Sequence, residues 1–534
     1  MTAKDFTGTA GLLRLAIRRD RVKLPIWILG ISGFVWIATG VNDHFSAAEM
    51  TAIVILASDN PAMRMLVSPI VAESVTEVSR FVFFRFSAVF SLLTVLMSIH
   101  AVNRHSRMNE DTGCAEMVGA TMTGRYATLA AALTIGVIAN VALSVLIGVA
   151  LIAYGLPAAG SFAAGASFGG LGIVFVGVAA LTAQLAGTGS GSNALSGVFF
   201  GGAYAVAAFA NAFGPTNVGG LGFRASRLAW FTPVGWTQGV YPFDDRNWWL
   251  LALFVSLFVV ISLCAFGLVN RRDVGRGVFA DRSGRASAPR ELLSPLGLAW
   301  RLQRGSLLSW TLPMVFMGFM LGMSAESLGE TMGDTEFFGG AFSAAMAEFP
   351  FLMTSMAALA AAIFAMRALL RMRAEENAGP LENVLSTRMT RSGFVASHVV
   401  CALVGSVVLI VAFTVSLSIS MRATSSETLE LITAALFQFT GVFVLSGFVL
   451  ATFGLFPDAA GRVSLTVILV AIATGPFFGT ALNLPDRLMN VSPFTHIAFA
   501  PADVSATSIA VLVATGVLLG LLGFVAFARR DLRP

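Results

Sequence analysis

Lysine is almost absent from this chain: Lys4 and Lys23 are the only two in 534 residues. Neither follows a glycine-rich loop, so the GxxxxGK[ST] pattern that cradles nucleotide phosphates is missing. The chain does not bind ATP in that way. Charge of either sign is scarce, at 12% of residues, where a soluble domain carries about 25%. There is no CxxC, HExxH or GxSxG, and no catalytic constellation, which argues against an enzyme. The five histidines, His44, His100, His105, His398 and His496, are scattered without ligand spacing, so no metal is expected. Three cysteines, Cys114, Cys264 and Cys401, make no disulfide framework. The long apolar runs are nearly free of Asp and Glu. That absence speaks against coupling to protons or sodium through intramembrane acids.

What the chain has is apolar length. Hydrophobic residues make up 56%, and the mean hydropathy is +0.81. Runs near the ~20 residues that cross a bilayer as a helix recur throughout. We read about twelve, at 25–41, 82–102, 128–154, 169–187, 194–212, 248–269, 307–324, 351–370, 395–420, 431–455, 463–483 and 506–528. They lack the alternation of a membrane barrel, so the expected fold is all-α and polytopic. Basic residues gather at run ends: Arg14, Arg18, Arg19 and Arg21 near the start, Arg271, Arg272, Arg276 and Arg282 in the middle, Arg529, Arg530 and Arg533 in the tail. With twelve spans these share one side, and the positive-inside rule makes that side cytoplasmic, both termini included. The net charge of +5 thus reads as membrane topology rather than a nucleic-acid footprint.

The chain also repeats itself. Arg107–Arg125 (RMNEDTGCAEMVGATMTGR) and Arg373–Arg391 (RAEENAGPLENVLSTRMTR) align without a gap. They share Arg107/Arg373, Glu110/Glu376, Gly113/Gly379, Glu116/Glu382, Val118/Val384, Thr121/Thr387 and Arg125/Arg391. Each is a polar island between the second and third runs of its half. The tripeptide RRD recurs at Arg271–Asp273 and Arg529–Asp531, after the last run of each half. Thr232–Pro233 and Ser492–Pro493 each precede that last run. The plan is two parallel six-helix repeats, residues 1–270 and 307–534, joined by a basic cytoplasmic linker at 271–306. Leu12–Lys23 and Leu292–Arg304 mix leucine with arginine and are expected as interfacial helices against membrane lipid. Tyr241–Trp249 gathers aromatic residues suited to a membrane interface.

Each island reads as one short helix, with Asp111 or Thr112, or Asn377, as its N-cap and Pro380 in its first turn. Cys114, Met117, Val118 and Met122 in one, and Leu381, Val384 and Leu385 in the other, fall at i, i+3, i+4 spacing. Such a stripe flanked by Glu116 or Glu382 suits a partner's groove; a solvated turn that only sets topology is the simpler alternative. Gly454–Arg462 (GLFPDAAGR) resembles a loop of major facilitator carriers, but follows the fourth span rather than the second, and a tight inner turn accounts for it.

Parallel six-helix halves, no nucleotide site and an E-x-x-G-x-x-E island between spans two and three resemble the permeases of ABC-2 type (type V) exporters. The fused, twelve-span actinobacterial branch of polyketide-antibiotic, tetronasin-type exporters is the nearest likeness. The resemblance implies a bacterial plasma membrane protein over two copies of a separate ABC ATP-binding subunit, which holds the ATP and Mg; this chain would bind no cofactor. It makes the islands coupling helices, with Glu110, Gly113, Glu116, Val118 and Arg125, and Glu376, Gly379, Glu382, Val384 and Arg391, in contact with that subunit. The cargo would be hydrophobic drugs or antibiotics, moving between the halves along the second and fifth spans of each. Phe83, Phe84, Phe86, Phe199, Phe200, Phe477 and Phe478 are candidate lining residues, with Met317 and Met320 from a methionine stripe on span seven. A proton-coupled multidrug carrier, a lipid-exporting permease and a non-transporting scaffold are the alternatives.

Overall fold

The computed structural model of the protein describes residues 3–42, 45–71, 78–216, 221–244, 246–273, 275–278, 287, 289–333, 349–377, 380–387, 389–476 and 484–530. It is an all-α polytopic membrane protein. The chain divides into two units, Met1–Gly284 and Arg285–Pro534.

The first unit contains α1 (Thr9–Asp20), α2 (Lys23–Asn42), α3 (Ala47–Asp59), α4 (Pro61–Leu66), α5 (Val78–His105), α6 (Arg107–Asp111), α7 (Cys114–Gly119), α8 (Ala127–Ala153), α9 (Ala158–Leu185), α10 (Gly189–Ala212), α11 (Pro233–Gly239) and α12 (Leu250–Val269). A two-residue antiparallel pair, β1 (Ile70–Val71) with β2 (Gly222–Phe223), ties two of its loops. The second unit contains α13 (Pro295–Gly333), α14 (Phe349–Asn377), α15 (Pro380–Leu385), α16 (Arg391–Ser420), α17 (Ser425–Leu455), α18 (Ala460–Ala473), α19 (Asp486–Met489) and α20 (Ala506–Arg529).

The packing repeats helix for helix. In the first unit α9 is central, against α5, α8 and α12, while α2 lies on α8 and α5. In the second, α17 is central, against α14, α16 and α20, and α13 lies on α16 and α14. The helices are apolar nearly all round, so contact depends on close fit rather than on an amphipathic face. Gly169 and Gly172 on α9 illustrate this: a Cβ there would sit 1.8 Å from Ser144 Oγ and 1.8 Å from Asn140 Oδ1 of α8.

Eleven helices among the described residues are long and apolar enough to cross a bilayer. The expected span at 463–483 is described only as far as Pro476, and its remaining residues lie outside the described ones. Its helix, α18, stops after 14 residues, or ~21 Å at 1.5 Å per residue, short of the ~30 Å hydrocarbon core. Gly475–Pro476 follow; proline disfavours helical backbone in the residue before it. The two expected surface helices also differ from each other. α1 is separate from α2, broken at Arg21–Val22. Residues 295–304 instead open α13 and run without a break into the span. Arg85, the clearest charge within a span, bonds Asn42 Oδ1 at 3.3 Å and lies over the Phe45 and Phe86 rings.

The paired Thr-Pro and Ser-Pro sites do the same job twice. Thr232 Oγ1 donates to Ala203 O of α10 at 2.7 Å, and Ser492 Oγ donates to Ala471 O of α18 at 2.8 Å. Both side chains are buried, and each pins the loop that precedes the last long helix of its unit to α10 or α18. Thr232→Val and Ser492→Ala are each expected to lower stability by about 1–3 kcal/mol, the cost of leaving a buried acceptor unpaired. Thermal unfolding in detergent reads this; unchanged midpoints in both variants would show that the pin is idle.

Candidate docking islands and their anchors

The islands are not single helices. In the first, α6 ends at Asp111, and Gly113 turns the chain with φ +73° before α7 begins at Cys114. A left-handed φ of this kind suits glycine, and Gly113 thus holds the N-cap position expected of Asp111 or Thr112. In the second, α14 runs on through Arg373 and Glu376 to Asn377, and α15 begins at Pro380. Gly379 lies outside the described residues. Both islands close alike: Thr121 Oγ1 donates to Val118 O at 2.6 Å, and Thr387 Oγ1 to Val384 O at 2.6 Å.

The shared residues fall into two groups. One faces inward. Arg107 is fully buried, donating to Glu110 Oε2 at 2.7 Å, to Gly275 O at 2.9 Å, to Arg276 O at 3.1 Å and to Gly187 O. Glu110 accepts in turn from Arg272 at 2.5 and 2.7 Å and from Gly275 N–H at 3.1 Å. In the second unit Glu376 pairs with Arg373 at 3.3 Å and with Arg530 at 2.7 Å. Arg125 reaches Val269 O, the last carbonyl of α12, at 3.1 Å, and Arg391 reaches Arg530 O, just past α20, at 2.8 Å. A cation there complements the unpaired carbonyls of a helix end.

The other group faces outward. Glu116 and Glu382 are exposed and make no ion pair among the described residues; Val118 and Val384 are half-buried. The apolar stripes diverge. Met117 and Met122 are 69% and 93% exposed, whereas Leu381 is 2% exposed and packs into its own unit's core. Among the described residues, the first island offers an apolar outward face and the second offers Glu382 and Asn383.

Two further ties were not legible from the island sequences. The loop between the fourth and fifth helices of each unit is pinned to the island: Asp111 accepts from Gly189 N–H at 2.6 Å, and Arg373 pairs with Asp458 at 2.6 Å. GLFPDAAGR thus carries an anchor for the second island. Asp20, at the end of α1, forms an ion pair with Arg104 Nε at 2.7 Å and is hydrogen-bonded to His105 Nε2 at 2.5 Å. Burial pushes its carboxyl up, but the His105 hydrogen bond and the charges of His105, Arg104 and Lys23 outweigh that and hold it below the ordinary 3.8. Because the folded-state value is lowered, the cluster's stabilisation is complete above the ordinary value and is lost as pH falls through the lowered one. Asp20→Asn is therefore expected to lower the neutral-pH unfolding midpoint and to flatten its fall below about pH 4. Parallel pH curves for the two proteins would contradict this.

The candidate cargo-lining residues are placed unevenly. Phe83 packs on Phe168 and Phe243, Phe84 on Phe81, and Phe86 on Phe34 and Phe90, all inside the first unit. Phe200 meets Phe175, while Phe199 is exposed. Met320 is buried and Met317 exposed. Phe477 and Phe478 lie outside the described residues. The second unit holds a cavity of about 580 Å³ between α17, α18 and α20, lined by Phe448, Val467, Val470, Val511 and Leu512, with His496 also among its lining residues.

Two units of like packing and eleven apolar membrane-length helices among the described residues define a polytopic membrane protein. Residues 292–528 match the family described as multidrug efflux system permease Rv1217c, C-terminal domain. Over 99% of its length the chain is 34% identical to the multidrug efflux system permease protein Rv1217c of Mycobacterium tuberculosis (strain ATCC 25618 / H37Rv), of which the alignment covers 96%. The chain belongs to this multidrug efflux permease family.

Proposed function

We propose that this chain is the permease subunit of an ATP-driven exporter of the ABC-2, tetronasin-type branch, moving hydrophobic drugs or antibiotics out of the cell. Energy comes from two copies of a separate ABC ATP-binding subunit, which carry the ATP and Mg. The permease hydrolyses nothing itself. It sits in the bacterial plasma membrane with both termini and both islands in the cytoplasm. The observation that carries this reading is the island built twice, each anchored from behind and each presenting a free carboxylate, Glu116 or Glu382, on its exposed side. A topology-setting turn has no need of a buried arginine holding it from behind; a docking surface that must bear load does. The name of the mycobacterial relative supports the cargo class, and the apolar cavity beside α18 suits a cargo of that kind.

The test is purification of the tagged protein from its native membranes in mild detergent, followed by assay of the eluate for Mg-dependent ATP hydrolysis. A co-purifying ATP-binding protein with activity is expected. A chain that purifies alone, without ATPase activity, shifts the reading to a secondary carrier.

A further inference from the structure

The RRD tripeptides lie outside the islands, yet each supplies the arginine that closes an island's inner side. In the first unit Arg272 holds Glu110 and also bonds Gln184 Oε1, near the end of α9, at 2.7 Å. In the second, Arg530 holds Glu376 and stacks over Phe453, near the end of α17, at 4.8 Å to the ring centroid. Arg272 and Arg530 follow the last helix of their units, α12 and α20. Each arginine therefore joins three things: the island, the fourth helix and the sixth helix of its unit. The partner on the fourth helix changes from an amide to an aromatic ring, while the junction stays the same. All six side chains are largely buried or half-buried, so water competes little for the pairs.

We propose that Glu110–Arg272 and Glu376–Arg530 are positioning clasps. They make each island move as one body with the ends of the fourth and sixth helices, so that load on the island is delivered to those helices. The delivery of load rests on the ATP-driven reading above; the mechanical joining does not. The division of labour is specific. Glu116 and Glu382 meet the partner, whereas Glu110 and Glu376 never touch it.

The test uses paired spin labels in the full-length chain with Cys114, Cys264 and Cys401 replaced by alanine. One pair is Met117→Cys with Leu263→Cys in the first unit; the other is Asn383→Cys with Leu521→Cys in the second. All four native side chains are exposed. Each distance distribution is expected to be narrow. Glu110→Gln should about double the width of the first pair only, and Glu376→Gln that of the second only, as a charge-assisted bond gives way to a neutral one of about half the strength. General misfolding would broaden both pairs together. Glu116→Gln with Glu382→Gln should leave both widths unchanged. In the reconstituted complex the Glu110→Gln, Glu376→Gln double variant should keep its ATP-binding subunit but move less cargo per ATP. Widths that stay narrow in the glutamine variants overturn the clasp. Broad widths with unchanged cargo per ATP overturn its role in delivering load. A wild-type chain with no ATP-binding subunit sinks the functional reading instead, and the widths still decide whether the clasps hold the islands.

Discussion

Reversing Glu116 and Glu382 together to arginine is expected to strip the ATP-binding subunit from the purified protein. The loss should be at least about tenfold, the effect of about 1.4 kcal/mol and below what truncating a buried interfacial charge pair costs. The permease itself should stay folded, because both carboxylates are exposed and pair with nothing among the described residues. Single reversals should differ. The first island adds the exposed Met117 and Met122 to its face, whereas the second has turned Leu381 into its own core. Glu382→Arg therefore removes a larger share of its island's contact and should release its subunit more completely than Glu116→Arg. Quantitative co-purification at fixed salt measures this. Full retention in the double variant would mean that the islands are not the dock.

The second large effect falls on stability. Arg107 is fully buried and donates to a carboxylate and three backbone carbonyls. Arg107→Ala is expected to destabilise the protein by about 3–5 kcal/mol, the range for breaking a buried ion pair from one side. Its counterpart Arg373 is 18% exposed and reaches an Asp458 that is 71% exposed. Solvent screens that pair, and Glu376, the other partner of Arg373 at 3.3 Å, keeps Arg530 at 2.7 Å, so Arg373→Ala should cost less than Arg107→Ala, about 1 kcal/mol. The asymmetry is the informative part, since the two residues are aligned in sequence. Thermal survival of the monodisperse fraction in detergent compares them; equal losses would refute the account of what Arg107 holds.

Much of the all-α architecture was legible because the bilayer demands long apolar helices. The helix α18 ends just before Gly475–Pro476, inside an apolar run that hydropathy alone reads as continuous. The island was legible as a unit but not by face. Nothing in a gapless alignment tells Glu110 from Glu116: both are shared carboxylates in a polar stretch. Their difference comes from residues more than 160 positions away, Arg272 and Gly275. The RRD repeats were the available signal. Their recurrence marks a shared structural task, but their partner depends on how the last helix returns to the island. Asp458 was hidden for a different reason, since the first-unit loop anchors through the backbone N–H of Gly189 and leaves no matching charge in the sequence.

The central claim is that ATP, delivered through a separate subunit on the islands, drives this permease. Inverted membrane vesicles containing the chain and its co-purifying partner, supplied with a fluorescent hydrophobic dye in the medium and treated with an uncoupler, test it most directly. With the proton gradient collapsed, dye uptake should continue on addition of Mg-ATP and stop in the Glu116→Arg, Glu382→Arg variant. Uptake that ignores ATP and ceases with the gradient would contradict the account and identify a proton-coupled carrier.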